Sequence, residues 1–307
     1  MSLETDLLLD RRRLKRRLFF WRSFAVLALL LAVLVALRGQ NLRYGGARVE
    51  RVVVSGIITQ DRKLDEAVDN LAENSSVKAV IVSIDSPGGS VAGGEALHDS
   101  LARVAAKKPV VAVMGGVAAS AGYMIAVPAV RIFASEGTLT GSIGVLLETG
   151  DISALLGKIG ISSDPIVSGP LKDQPSYTKP LSPEGKQVLQ GLVMDMYDQF
   201  VGMVATGRHM DAARVRELAD GRAYTGRQAL NLGLIDQIGT ERAARDWLAK
   251  EKGVSSDLPV EDLTTGGLTS RVLSSSIRWA VESIWKSVFS QGVMLDGAQA
   301  LWQRSDG

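Results

Sequence analysis

Apolar and polar positions alternate along the chain in two rhythms, a short one suited to strands and a longer one suited to helices. Val52 to Ile58 is strand-like, and Arg62 to Glu73 carries Leu64, Val68 and Leu71 at helical spacing. Ala79 to Ile84 reads as a buried strand, Val91 to Ala106 as a helix and Val110 to Met114 as another strand. Val130 to Ala134, Ile143 to Leu147 and Ile161 to Val167 are further strand-like runs, with a helix near Ile152 to Ile159. Gly169 to Pro183 is rich in proline, glycine and serine and predicts an irregular loop. Ser182 then caps a long helix with Pro183 at its first position, continuing to about Thr206. Helices follow at Met210 to Leu218, Arg227 to Leu232 and Glu241 to Lys252, with a short apolar run at Leu234 to Ile238. This alternation predicts an α/β domain with parallel strands and helical crossovers.

The two ends differ from this middle. Phe19 to Leu37 is apolar apart from Arg22 and Ser23, and about 19 helical residues are enough to cross a hydrocarbon core. Arg11, Arg12, Arg13, Lys15, Arg16 and Arg17 precede it, so the basic side is expected to stay in the cytoplasm. Near Arg271 to Trp302 an apolar stripe at helical spacing includes Trp279, Trp285 and Phe289, a helix for packing on its own domain, on a neighbour or on a membrane. The expected organisation is a basic segment (1–18), an anchor (19–37), a linker (38–47), a catalytic domain (48–252) and a C-terminal helical tail (253–307).

Composition narrows the chemistry. The chain has 307 residues, 46% hydrophobic and 22% charged, with a formal net charge of +2, which points to no nucleic-acid partner. With no cysteine, thiol catalysis, disulfides and cysteine-held metals are excluded. No acidic cluster has metal-ligand spacing, no glycine fingerprint for a nucleotide is in place, and no cofactor is expected.

Gly116 to Tyr123 sets one serine, Ser120, among small residues between a strand and a helix, where a hydroxyl becomes accessible beside free backbone N–H groups. A serine nucleophile needs a base. The two histidines, His98 in a helix and His209 between helices, are expected to be surface or capping residues. A neutral lysine is the alternative, and Lys158, Lys172, Lys179 and Lys186 all remain open on spacing alone. Asp85 to Ser90, with Pro87-Gly88-Gly89, follows the preceding strand. It could supply a backbone donor at the same sheet edge or be an ordinary turn.

Ser86 to Gly89, Ala119 to Tyr123, Thr140 to Val145, Ser168 to Asp173, Asp220 to Ala229 and Leu232 to Asp236 occur in an order that resembles the signal peptide peptidase A (protease IV, S49) family, in its short single-domain form with an amino-terminal anchor. The resemblance covers about residues 50 to 250. It implies a Clp-protease/crotonase-like ββα-repeat fold behind a transmembrane helix, and a serine/lysine dyad that degrades remnant signal peptides through an acyl-enzyme. On it Ser120 is the nucleophile, Lys172 the general base, Ser142 the lysine-orienting hydroxyl, and Gly89 and Ala121 the oxyanion donors. Where the family usually has glycine this chain has Ala121, and where it often has an aromatic this chain has Met124. The resemblance further implies a homo-oligomeric ring on the outer side of a bacterial inner membrane, with apolar peptides as substrates. Two other readings share the fold: a crotonase-like enzyme of acyl thioesters and a catalytically silent scaffold.

Overall fold

The structure is a computed structural model that describes residues 46–264 together with Phe20, Trp21, Phe24, Leu27 and Ala28. Most of the expected anchor and the whole stripe after Arg271 lie outside the described residues. Among the described residues no helix is long and apolar enough to cross a membrane.

Strands and helices alternate as β1 (Arg48–Ile58), α1 (Arg62–Leu71), β2 (Val77–Gly89), α2 (Val91–Ala105), β3 (Val110–Ala119), α3 (Ala121–Ala126), β4 (Arg131–Ala134) and β5 (Leu139–Gly141). After α4 (Ser153–Lys158) come α5 (Pro183–Arg208), α6 (Ala212–Leu218), β6 (Ala223–Thr225), α7 (Gly226–Asn231), β7 (Gln237–Ile238), α8 (Glu241–Lys252) and β8 (Val260–Asp262). They form an eight-stranded sheet ordered β6-β5-β3-β2-β1-β8, with β4 beside β3 and β7 beside β4. Every pairing is parallel except β5–β6. The sheet takes in β8, past residue 252, where the sequence pattern ends the domain. β8 is tied to β1 by Arg51 on Asp262 and Arg48 on Glu261.

Side chains of the central strands divide between two faces, as a period of two requires. Val80, Val82, Ile84, Ala112 and Met114 pack under α1, α2 and α3, whereas Ala79, Ile81, Val111, Val113 and Phe133 pack against Ala244 and Leu248 of α8. Helices on both faces explain why these strands read as continuous apolar runs.

Three expectations need correction. Both β2 and β3 run about five residues further than the apolar runs, through polar and small residues to Gly89 and Ala119. Ile143–Leu147 is not a strand: β5 ends at Gly141, and its two edges are taken by β3 and β6. Ile161–Val167 is also irregular, and Ile161, Ile166 and Val167 are exposed. Ile161, Ile166 and Val167 find no sheet edge and no core among the described residues, whereas Ile143 is buried in the core without joining a strand.

β3 changes neighbour halfway along. Val111–Met114 pair with β4 and Val117–Ala119 with β5. At the switch, Gly115, Gly116 and Val117 lie opposite the single residue Asp85. The Asp85 carboxylate accepts the Val117 N–H at 3.1 Å, and a side chain at 115 would crowd it. Asp85 therefore stabilises the bulge that carries β3 on to Ser120, a structural task.

Candidate active site

The carboxyl ends of β2, β3 and β5 meet at one edge, the usual place for a site in an open α/β sheet. Ser120 ends β3 with φ 53° and ψ −122°, a backbone that side-chain-bearing residues rarely adopt. Helix α3 begins at the next residue, and all six of its residues are buried. The hydroxyl thus stands on a sharp strand-to-helix turn above a buried helix. Ser142 has φ 48°, and among the described residues the third non-glycine with positive φ is His209, which caps α5 in the left-handed conformation.

One peptide links the two serines. Ser120 N–H donates to the Gly141 carbonyl at 2.9 Å, and Ser142 follows Gly141 directly. Ser142 is fixed in turn from β6: its N–H donates to the Arg222 carbonyl at 2.9 Å and its hydroxyl to the Gly221 carbonyl at 3.2 Å. Ser120, Ser142 and Gly89 line a cleft of about 830 Å³, walled by Val91, Val145, Leu146, Met194 and Tyr197. Its lining mixes these apolar side chains with polar groups, among them Ser120, Ser142, Gln190 and Asp220.

Gly88 lies under the serine, at φ 117°, where a Cβ would come within 2.8 Å of the Ser120 Cβ. The approach therefore depends on glycine in two ways, room and backbone conformation. Ser86, fully buried, donates to the Gly56 carbonyl at 2.6 Å and accepts the Gly88 N–H at 3.1 Å, which fixes the Pro87-Gly88-Gly89 edge. Ala121 opens α3, where first-turn N–H groups have no acceptor within their helix. Its methyl sits where Gly94 of α2 has none: a Cβ on Gly94 would lie 2.9 Å from the Ala121 Cβ and 3.1 Å from Met124 Sδ. Gly94 thus makes room for both Ala121 and Met124.

Helix α3 is anchored from below. Tyr123 is fully buried and donates to the Leu234 carbonyl at 2.7 Å; burial pushes its hydroxyl pKa well up, so it remains a donor. Arg208, 8% exposed along its side chain, binds the Asp236 carboxylate and the Gly233 carbonyl, while Asp236 also accepts the Ile132 N–H at 2.7 Å. The Leu232–Asp236 motif therefore joins α5, β4 and α3, a role that spacing alone could not separate from catalysis.

The lysines lie apart from this centre. Lys172 is exposed, and its amine makes no hydrogen bond to Ser120 or Ser142 within the chain and does not line the cleft. Lys179 Nζ is 2.7 Å from Asp173 Oδ2, an ion pair within the irregular loop. Lys158 and Lys186 are exposed on α4 and α5. His98, beside Asp99 on α2, and His209 also stay out of the cleft. Among the described residues no group of acidic or histidine side chains could hold a metal ion.

Sequence reasoning passed over Asp220, Gly221 and Arg222 as site residues, though Asp220 and Gly221 line the cleft. Arg222 donates to both Asp220 oxygens, at 2.9 and 2.7 Å, and its N–H donates to Asp220 at 3.1 Å; these bonds hold the carboxyl below its usual range. The signal was the Asp-Gly-Arg turn directly before β6.

Comparisons with known proteins agree on one family. Residues 102–255 match the model of peptidase family S49 and residues 48–133 that of Clp protease. A putative protease of Synechocystis sp. is 42% identical over 211 residues, covering 68% of this chain and 76% of that protein. A putative signal peptide peptidase SppA of Enterococcus faecium is 40% identical over 214 residues, 68% of this chain and 62% of that one. Protease 4 of Salmonella typhi is 43% identical over 164 residues, 53% of this chain and 26% of that protein. A solved structure, that of a mutant of the 1510-N membrane-bound stomatin-specific protease, is 18% identical with a TM-score of 0.48, covering 71% of this chain and 98% of that one. The α/β fold is of the Clp-protease type, and the chain is a protease that belongs to peptidase family S49, the family of signal peptide peptidase A and protease 4.

Proposed function

We propose that the protein is a membrane-anchored serine endopeptidase in which Ser120 and Lys172 form the catalytic dyad and remnant signal peptides and other apolar peptides are the substrates. The observation that carries this reading is the pair of serines held at positive φ in one cleft, at the ends of adjacent strands. Strain of this kind persists only where the surroundings over-determine it, and it concentrates at reactive positions.

Neutral Lys172 takes the Ser120 proton as Oγ attacks the peptide carbonyl carbon, and Ser142 holds the amine. The N–H groups of Gly89 and Ala121 receive the oxyanion. The lysine ammonium returns its proton to the leaving amine, and water then releases the acyl group by the same route. No cofactor or metal takes part. Among the described residues Lys172 forms no ion pair, whereas Lys179 lies beside Asp173; a lysine base must act in its neutral form, which burial of an amine favours. That burial comes from a second copy of the chain: Leu146, Leu155, Ile159, Ile161, Ile166 and Leu171 around the lysine segment are all exposed, and a homo-oligomer would cover them. The apolar segment 19–37 behind its basic block supports a single anchor with the protease outside the cytoplasm.

The full chain, incubated with an apolar signal-peptide fragment, is expected to cleave it, and Ser120→Ala and Lys172→Ala to show no products by mass spectrometry. A fluorophosphonate should label Ser120 in the wild type. Turnover by Ser120→Ala, or label on another serine, sinks the nucleophile assignment; activity in Lys172→Ala alongside loss in Lys179→Ala moves the base.

A further inference from the structure

Asp220 and Gly221 line the cleft, and Arg222 follows them in the same turn, yet none of the three has a part in the chemistry above. Gly221 sits at φ 89°, and Gly144 packs on it so closely that a Cβ at 144 would lie 3.3 Å from the Gly221 Cα. Asp220 closes the turn by accepting the Arg222 N–H and guanidinium. The result is a carbonyl, that of Gly221, held 3.2 Å from Ser142 Oγ.

A serine hydroxyl has one proton to donate and two lone pairs to accept with, whereas a carbonyl only accepts. The single Ser142 proton is therefore committed to Gly221, and any further partner of Ser142 must be a donor. A neutral lysine amine has two N–H groups and one lone pair. Meeting Ser142 in this state, it gives an N–H and keeps its lone pair for the Ser120 proton. If the Ser142 hydroxyl were free to turn, its proton would compete for that same lone pair and idle the base.

We infer that the Asp220–Gly221–Arg222 turn is a positioning element that fixes the donor direction of Ser142 and so keeps the lysine lone pair available to Ser120. This rests on the serine–lysine reading above. Asp220 and Arg222 are positioning residues acting through Ser142.

Steady-state hydrolysis of an apolar fluorogenic peptide by the full chain tests it, with Asp220→Ala, Asp220→Asn, Ser142→Ala and the Asp220→Ala/Ser142→Ala pair. Asp220→Ala is expected to lower kcat about tenfold, the size of one displaced hydrogen bond, with KM changed by less than about twofold. Asp220→Asn keeps an acceptor for the Arg222 N–H and should recover most of the loss. In the Ser142→Ala background the Asp220→Ala change should cost less than about twofold, because the two act through one hydroxyl. Losses that multiply in the double variant, or an effect on KM alone, overturn the inference and leave the dyad standing. Wild-type kcat in Ser142→Ala overturns instead the assignment of Ser142 as the lysine's partner. Should Asp220→Ala fail to fold by circular dichroism, Arg222→Ala replaces it with the same expected pattern.

Discussion

At the scale of single residues, strain and chemistry coincide. Ser120 and Ser142 occupy backbone conformations that glycine adopts freely, yet each carries a hydroxyl. Replacing Ser120 by alanine removes the nucleophile and keeps the Cβ that causes the strain; replacing it by glycine removes both. Positive-φ strain costs about 1–3 kcal/mol and glycine's extra chain entropy returns up to about 1 kcal/mol. Ser120→Gly is therefore expected to be as inactive as Ser120→Ala but about 1 kcal/mol more stable in denaturant unfolding. Equal stabilities would mean that the turn carries no strain. The serine was legible in the sequence because small residues bracket it, and Gly88 and Gly89 because they stand in a Pro-Gly-Gly turn after an apolar run, though not as the end of the strand itself. Asp85 and Ser86 were legible only as neighbours of a motif: nothing in their spacing announces a carboxylate that closes a bulge or a hydroxyl buried between β1 and β2.

At the scale of elements, the site is precise because α3 is wedged between α2 and the Leu232–Asp236 segment. Gly94 faces Ala121 within that wedge, where a Cβ on Gly94 would come within 2.9 Å of the Ala121 Cβ. A glycine-to-alanine change inside a helix ordinarily gains up to about 1 kcal/mol, whereas overpacking costs about 1–3 kcal/mol. The steric term wins here because the obstructing atoms belong to a buried helix. Gly94→Ala should lower stability by about 1 kcal/mol and slow peptide hydrolysis. Adding Ala121→Gly should bring the melting temperature back to near the wild-type value. A stable and fully active Gly94→Ala would show that α3 can give way. The failed strand expectations belong to this scale too. Ile143–Leu147 is as apolar as the true strands, and a short apolar run does not say whether a sheet edge is free to receive it; Ile161–Val167 has apolar ends around Ser162, Ser163, Asp164 and Pro165, and proline cannot join a sheet ladder. β6 supplies the reason for the first failure: three residues, Ala223–Thr225, occupy the edge of β5 antiparallel to it. Such a short strand carries almost no periodic signal of its own.

At the scale of the whole molecule, the cleft in one chain holds Ser120, Ser142 and Gly89, the proposed nucleophile, lysine-orienting hydroxyl and one proposed oxyanion donor, whereas Lys172 stands exposed on a segment with exposed apolar side chains. The chemistry needs the amine out of water, and the exposed segment needs a partner surface; one assembly of identical chains satisfies both. The proposed base was also the least legible member of the site, because spacing left four lysines open and only the order of motifs singled out Lys172. If the lysine of one chain serves the serine of its neighbour, two inactive variants complement each other. Ser120→Ala chains retain the base and Lys172→Ala chains retain the nucleophile, so co-assembly restores complete sites at some interfaces. Random mixing of equal amounts gives about a quarter of wild-type activity, since each site draws its serine and its lysine independently. The measurement is peptide hydrolysis after the two variants are co-expressed, with each alone as the blank. Recovery near that fraction places the dyad across an interface. No recovery from mixed oligomers, demonstrated by differential tagging, places serine and lysine within one chain and requires the 169–183 loop to fold over its own cleft when the peptide binds.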